Sequence, residues 1–162
     1  MDVKSSANVV DPSSARGLRI IVVDPDTASL MHTATILEEH YYTVTTIELA
    51  TIALSMIRER ENQYDLVIAE FNMLEMDGFT FLKHILRDRN IPVILMSHKA
   101  NVEIIIRALE EGACFFWRKP LREKDLINVW QHIIRNKVKA KTQKVNKEKL
   151  TFQEEESFTG KK

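Results

Sequence analysis

Four apolar runs in this chain end on side chains that can do chemistry. "RIIVVD" closes on Asp24, with Pro25 and Asp26 behind it; "DLVIAE" closes on Glu70, "IPVILMS" on Ser97, and "FFWRK" on Lys119 before Pro120. If these runs are parallel strands of one sheet, the carboxylates, the hydroxyl and the amine meet in one small area. Clustered carboxylates suit a hard divalent cation such as Mg2+, which takes oxygen ligands in near-octahedral geometry. A lysine and a hydroxyl beside them would bind the oxygens of a phosphoryl group, and one carboxylate could attack the phosphorus. Taken singly, each residue reads equally well as a helix cap or a surface charge. The agreement of four strand ends favours phosphoryl transfer to a carboxylate.

The elements that must position these groups are legible as an alternation. "LRIIVVD" reads as a strand, and "DTASLMHTATILEEH" follows as a helix, with Leu30, Ala34 and Leu37 at helical spacing and Asp26 or Thr27 as N-cap. "YTVTTI" and "LATIALSMIRERE", then "DLVIAE" and "DGFTFLKHILRDR", repeat the pair. "IPVILMS" and "NVEIIIRALEEG" form the fourth, with Gly112 as the helix stop, and "ACFFWRK" and "REKDLINVWQHIIRN" the fifth. Five such pairs with short connections imply an α/β fold, a parallel sheet with right-handed crossovers and helices on both faces. In such sheets ligands bind outside the carboxyl ends of the strands, where the residues above lie.

The totals bound the rest. At 162 residues, with 44% apolar and 28% charged, the chain fits one core with tails. Residues 1–17, "MDVKSSANVVDPSSARG", have no apolar period and read as a disordered leader without a secretory signal. Nowhere do about 18 apolar residues run together, so no membrane helix is expected. The formal net charge is zero, so attraction to nucleic acid would need a local patch. Arg135, Lys137, Lys139, Lys141, Lys144, Lys147 and Lys149 supply one against Glu148 alone, but the lysines are spaced and lack interleaved aromatics, which favours a solvated linker. Residues 137–162 are therefore expected to be a basic, then acidic, disordered tail. Cys114, the only cysteine, sits in "ACFFW", which reads as a buried core thiol and excludes a disulfide framework. The five histidines are scattered without ligand spacing and receive no role. A flavin or nucleotide site is disfavoured, because the loops after the strands lack the Gly, Ser and Thr that cradle phosphate.

"RIIVVDPD", "YDLVIAEFNMLEMDGF", "IPVILMS" and "GACFFWRKPL", in this order and at these separations, resemble the receiver domain of two-component response regulators. "MDGF" and "LINVWQHIIRNK" are most similar to the plant type-B regulators and their pseudo-receiver relatives. The resemblance covers about residues 17 to 136, with the domain placed at 18–136. It implies a flavodoxin-like (βα)5 fold with strand order 2-1-3-4-5. It also implies a role in a histidine-to-aspartate phosphorelay, plausible settings being cytokinin signalling and transcriptional regulation, in nucleus or cytoplasm.

Carried over position by position, the pattern departs at three places. Where a receiver has paired acids for Mg2+, this chain has Asp24 and then Pro25, with Asp26 displaced by one residue. The acceptor aspartate is replaced by Glu70, and the proline usual four residues later by Leu74. Ser97 matches the hydroxyl that contacts the phosphoryl group, Lys119 the lysine that pairs with it, and Phe116 the switch aromatic, or else an aromatic half buried at a strand edge. Glu70 sets its oxygens about 1.5 Å beyond those of an aspartate. Pro25 removes a metal ligand and stiffens the turn.

The expectation is a non-enzymatic interaction module with no cofactor and doubtful Mg2+ binding. The alternative is a competent receiver using Glu70 or Asp26 with Mg2+. A third possibility is that Glu70, Asp24 and Lys119 form only a structural ion-pair network. The resemblance further implies that the face of the fourth helix, fifth strand and fifth helix meets histidine phosphotransfer proteins or other response regulators. Trp117 and Arg118 lie on that strand, Arg118 either at an edge or reaching solvent along its stem, while Trp130 reads as core. No DNA-binding domain follows the tail in this sequence, so direct DNA binding is not expected.

Overall fold

The computed structural model describes residues 17–59 and 63–159. The expected leader lies, but for Gly17, outside the described residues. Five strands alternate with helices: β1 (Arg19–Val23), α1 (Thr27–Glu39), β2 (Thr43–Ile47), α2 (Ala50–Glu59), β3 (Leu66–Glu70), α3 (Gly78–Asp88), β4 (Val93–Ser97), α4 (Val102–Glu110), β5 (Phe115–Arg118), α5 (Glu123–Ile127) and α6 (Trp130–Thr159). All strand pairs are parallel, in the order β2-β1-β3-β4-β5. The α/β fold and its strand order are as the sequence implied.

Alternation at period two divides the core between the two faces of the sheet. On one face Ile21, Val23, Val67, Ala69, Val93 and Leu95 meet Leu54 and Ile57 of α2, Phe81 and Ile85 of α3, and Ala108 of α4. On the other, Ile20, Val22, Leu66, Ile68, Ile94 and Met96 meet Leu30 and Leu37 of α1, with Leu126, Trp130 and Ile133. With both faces covered, β3 and β4 are buried along their whole length, and no polar side chain appears in them before the final residue.

Local signals end the helices. Asp26 accepts from the backbone N–H groups of Ala28 and Ser29 and caps α1; Asp77 caps α3 through Thr80, and Asn101 caps α4 through Ile104. After α4, Gly112 takes φ +113°, and Ala113 N–H donates back to the Ala108 carbonyl at 2.9 Å, closing the helix as expected of a glycine there. A Cβ at Gly112 would fall 2.5 Å from Leu86 Cδ1.

The C-terminal part departs from expectation. The single helix predicted over residues 122–136 is two helices, broken at Asn128 and Val129, and Tyr42 accounts for the break. Its hydroxyl donates to the Ile127 carbonyl at 2.6 Å and accepts from Trp130 N–H at 3.2 Å, so one side chain of β2's approach satisfies the end of one helix and the start of the next. The tail expected to be disordered from residue 137 continues as α6 to Thr159. Its physical basis is propensity: the segment has no proline or glycine and is rich in Lys and Glu, which favour helix without an apolar face. Cys114 is also corrected, from core thiol to half-buried, with its Sγ 3.3 Å from His132 Nδ1.

Candidate functional site

Parallel register brings the carboxyl ends of β1, β3, β4 and β5 to one edge of the sheet. Glu70, the last residue of β3, pairs across to Met96, and Ser97 ends β4 opposite Arg118. Asp24 and Lys119 stand one residue beyond β1 and β5, held by Asp24 N–H to the Ile47 carbonyl at 3.1 Å and Lys119 N–H to the Ser97 carbonyl at 3.0 Å. The Lys119–Pro120 peptide is cis.

Lys119 Nζ lies 2.6 Å from Asp24 Oδ2 and 2.6 Å from Glu70 Oε1. The remaining carboxylate oxygens are also engaged: Asp24 Oδ1 accepts from Asp26 N–H at 3.0 Å, and Glu70 Oε2 from Asn72 N–H at 2.8 Å. Asp24 is fully buried, and Glu70 and Lys119 are nearly so. Burial alone would lower the Lys119 pKa, but the hydrogen bonds and charges of Asp24 and Glu70 outweigh it and leave the pKa above its ordinary value. The trio sets two carboxyl groups against one ammonium, all three largely withdrawn from water. Above it opens a shallow pocket of about 420 Å³, with His98 and Lys99 at its rim.

Of the residues picked from the sequence, Asp24, Glu70 and Lys119 therefore converge. Ser97 lies beside them but is not hydrogen-bonded to Glu70; its Oγ accepts from Asn72 Nδ2 at 2.9 Å and from Lys99 N–H at 3.1 Å. Asp26 borders the pocket, but its Oδ1 is turned to the N-terminus of α1. Phe116 is buried rather than half exposed, its ring 6.3 Å from that of Phe71, which packs edge-on against Phe79 at 4.7 Å. Arg118 is exposed on the edge strand and Trp130 buried, as the sequence suggested.

Three residues of this region went unremarked in the sequence. Asn72 joins Glu70 to Ser97. Phe71 carries the packing from the strand end to Phe116. Glu75 ties the β3–α3 loop to the start of α2, accepting from Ala50 N–H at 3.3 Å and Thr51 Oγ1 at 3.2 Å. All three lie within "EFNMLEMDGF", and polar residues two and five positions beyond a strand-end acid were the available signal.

Residues 20–131 match the response regulator receiver domain. The chain belongs to this family. The receiver is 43% identical over 122 residues to two-component response regulator ORR26 of Oryza sativa subsp. japonica, and 41% identical over 122 residues to ARR11 of Arabidopsis thaliana, covering 75% of this chain in each case. It spans only 21% and 23% of those proteins, about a fifth of their length. Among solved structures it is similar to a CheY-like receiver from Methanospirillum hungatei JF-1 (26% identity, TM-score 0.68, covering 76% of this chain and 98% of that one). A Clostridium thermocellum receiver gives 28% identity and a TM-score of 0.70, covering 75% and 98%. Receivers of this family are signalling modules and generally not enzymes. Among the described residues no helix of this receiver is long and apolar enough to cross a membrane.

Proposed function

We propose that this receiver is a signalling module of a plant histidine-to-aspartate phosphorelay that no longer accepts a phosphoryl group and acts through protein contacts. The observation that carries the proposal is the placement of Lys119 Nζ at 2.6 Å from both Asp24 and Glu70. In this reading Lys119 supplies the positive charge that balances the two acids. Every oxygen of Asp24 and Glu70 already has a donor, Asp26 caps α1, and Pro25 offers no ligand. That donor set does not fit Mg2+, which requires free oxygens in near-octahedral array; among the described residues no three acids, histidines or cysteines are grouped to hold a metal. Glu70 as nucleophile would have to release Lys119 and Asn72 and present its oxygens at a different reach from an aspartate, which spoils in-line attack.

The same arrangement speaks to phosphate mimicry. Glu70 holds Lys119, as an aspartyl phosphate would be expected to, but it does not hold Ser97, which is bonded to Asn72 instead. The pocket is therefore fixed in a state set by sequence. The receiver's output runs through the face of α4, β5 and α5, where Val102, Ile106, Leu109 and Phe115 are exposed beside Arg118. Histidine phosphotransfer proteins or other response regulators are the partners suited to it. Cytokinin signalling, transcriptional regulation and a nuclear or cytoplasmic site belong to the same proposal, carried over from the resemblance to the type-B regulators.

Phosphotransfer tests it. Incubated with a phosphorylated histidine phosphotransfer protein and Mg2+, the parent chain remains unlabelled and does not bind beryllofluoride, whereas a Pro25→Asp, Glu70→Asp double variant gains label that alkali and hydroxylamine release. Stoichiometric label on Glu70 or Asp26 of the parent would overturn the reading.

A further inference from the structure

At the opposite end of the sheet, the first turns of α6 pass the end of α4 and enclose a half-open cavity of about 330 Å³. Its floor is apolar, formed by Leu86, Ile91, Leu109 and Ala113. Gly112 shapes it: with no Cβ at this position, Leu86 lies across space that any other residue would occupy. The wall supplied by α6 carries charge of one sign. Arg135 and Lys139 are one turn apart on that wall, and no carboxylate lines the cavity. Neither cation forms an ion pair with a described residue.

The polar corner beside them is uncharged at neutral pH. Cys114 Sγ and His132 Nδ1 are 3.3 Å apart. Burial, aided by the Arg135 charge, holds the His132 pKa below its ordinary value, while burial pushes the Cys114 thiol up. The positive potential of the cavity thus comes from Arg135 and Lys139 alone. Concave, largely apolar sites with a few convergent polar groups are what small ligands use, and this cavity reaches the lower end of their usual size.

We propose that this cavity binds a small organic anion with an apolar body: a carboxylate held between Arg135 and Lys139, its aliphatic or aromatic part on Leu86, Ile91 and Leu109. Inorganic phosphate is the poorer fit, since a strongly hydrated ion gains nothing from an apolar floor and is desolvated by it. An organic cation meets two like charges. The site lies on the far side of the domain from Glu70, and an occupant would fasten α6 to α4. It would give the receiver a chemical input that does not pass through the strand-end acids.

Octanoate serves as the probe, with octylamine and inorganic phosphate as controls, all added to the full chain. Because Cys114 is the only cysteine, its alkylation by iodoacetamide reports on this cavity alone. Octanoate slows the alkylation and shifts the amide resonances of Cys114, His132 and Gly112, while the controls do neither. Arg135→Gln with Lys139→Gln, both exposed positions, weakens octanoate binding about tenfold or more. Equal protection by octylamine or phosphate overturns the proposal, as does undiminished octanoate binding by the double variant or no response to octanoate at millimolar concentration.

Discussion

Lys119, Asp24 and Glu70 are bound so closely that the arrangement is best judged by what removing each would leave behind. Lys119→Met strands two buried carboxylates without a counter-charge, and breaking a buried pair in this way costs about 3–5 kcal/mol. Glu70→Gln keeps the shape, leaves Lys119 paired with Asp24 and forfeits one charged hydrogen bond, a loss of about 1.5–3 kcal/mol. Thermal unfolding of the two variants is expected to rank them in that order, and a Glu70→Gln variant less stable than Lys119→Met would show that Asp24 does not hold the lysine. At this scale the sequence was informative about which residues meet, because a strand's last side chain is placed by the sheet and needs no knowledge of the loop. It was not informative about Asn72 or Phe71. Where a side chain points beyond the strand end depends on the backbone path of the loop, which no periodicity encodes. Asp26 illustrates the point: equally available in sequence as metal ligand or helix cap, it is committed to the cap by the turn at Pro25.

Among the elements, the break between α5 and α6 rests on Tyr42. Burial pushes its phenol up to about 12. The unfolded chain therefore releases that proton near pH 10 while the folded chain keeps it, so stability falls as pH rises between about 10 and 12. Lys119, whose pKa is also raised, acts in the same direction: its ion-pair stabilisation is fully present below the ordinary lysine pKa and is lost as pH rises through the folded value. Tyr42→Phe is expected to cost about 1–1.5 kcal/mol at neutral pH, the net value of a buried hydrogen bond, and to make the alkaline decline in urea-unfolding free energy shallower. An unchanged alkaline slope would assign the decline to Lys119 and other groups. The five alternations were legible because apolar residues recur at helical spacing in the helices and alternate or run together in the strands. The break was not, since the group that creates it lies 85 residues from Ile127. Nor was the length of α6, whose charged exterior leaves no stripe to read.

For the molecule as a whole, the domain is a sheet buried on both sides, with an adjoining helix whose turns beyond the core gain little from packing. The consequence is separable stability. Lys144→Pro removes a helical N–H at an exposed position and costs roughly 3 kcal/mol locally. The far-UV helical signal is expected to drop while the melting temperature of the α/β core stays unchanged. A lowered melting temperature would mean that the distal helix contributes to the core, and an unchanged helical signal that it does not form. At 30 residues, α6 spans about 45 Å. Tyr42, clasping its first residue, then acts as a fulcrum, and a tilt of about 10° at Trp130 sweeps the far end through roughly 8 Å. A fraction of an ångström of give beneath that hydroxyl is converted by the rod into a displacement that a protein bound at its far end would feel.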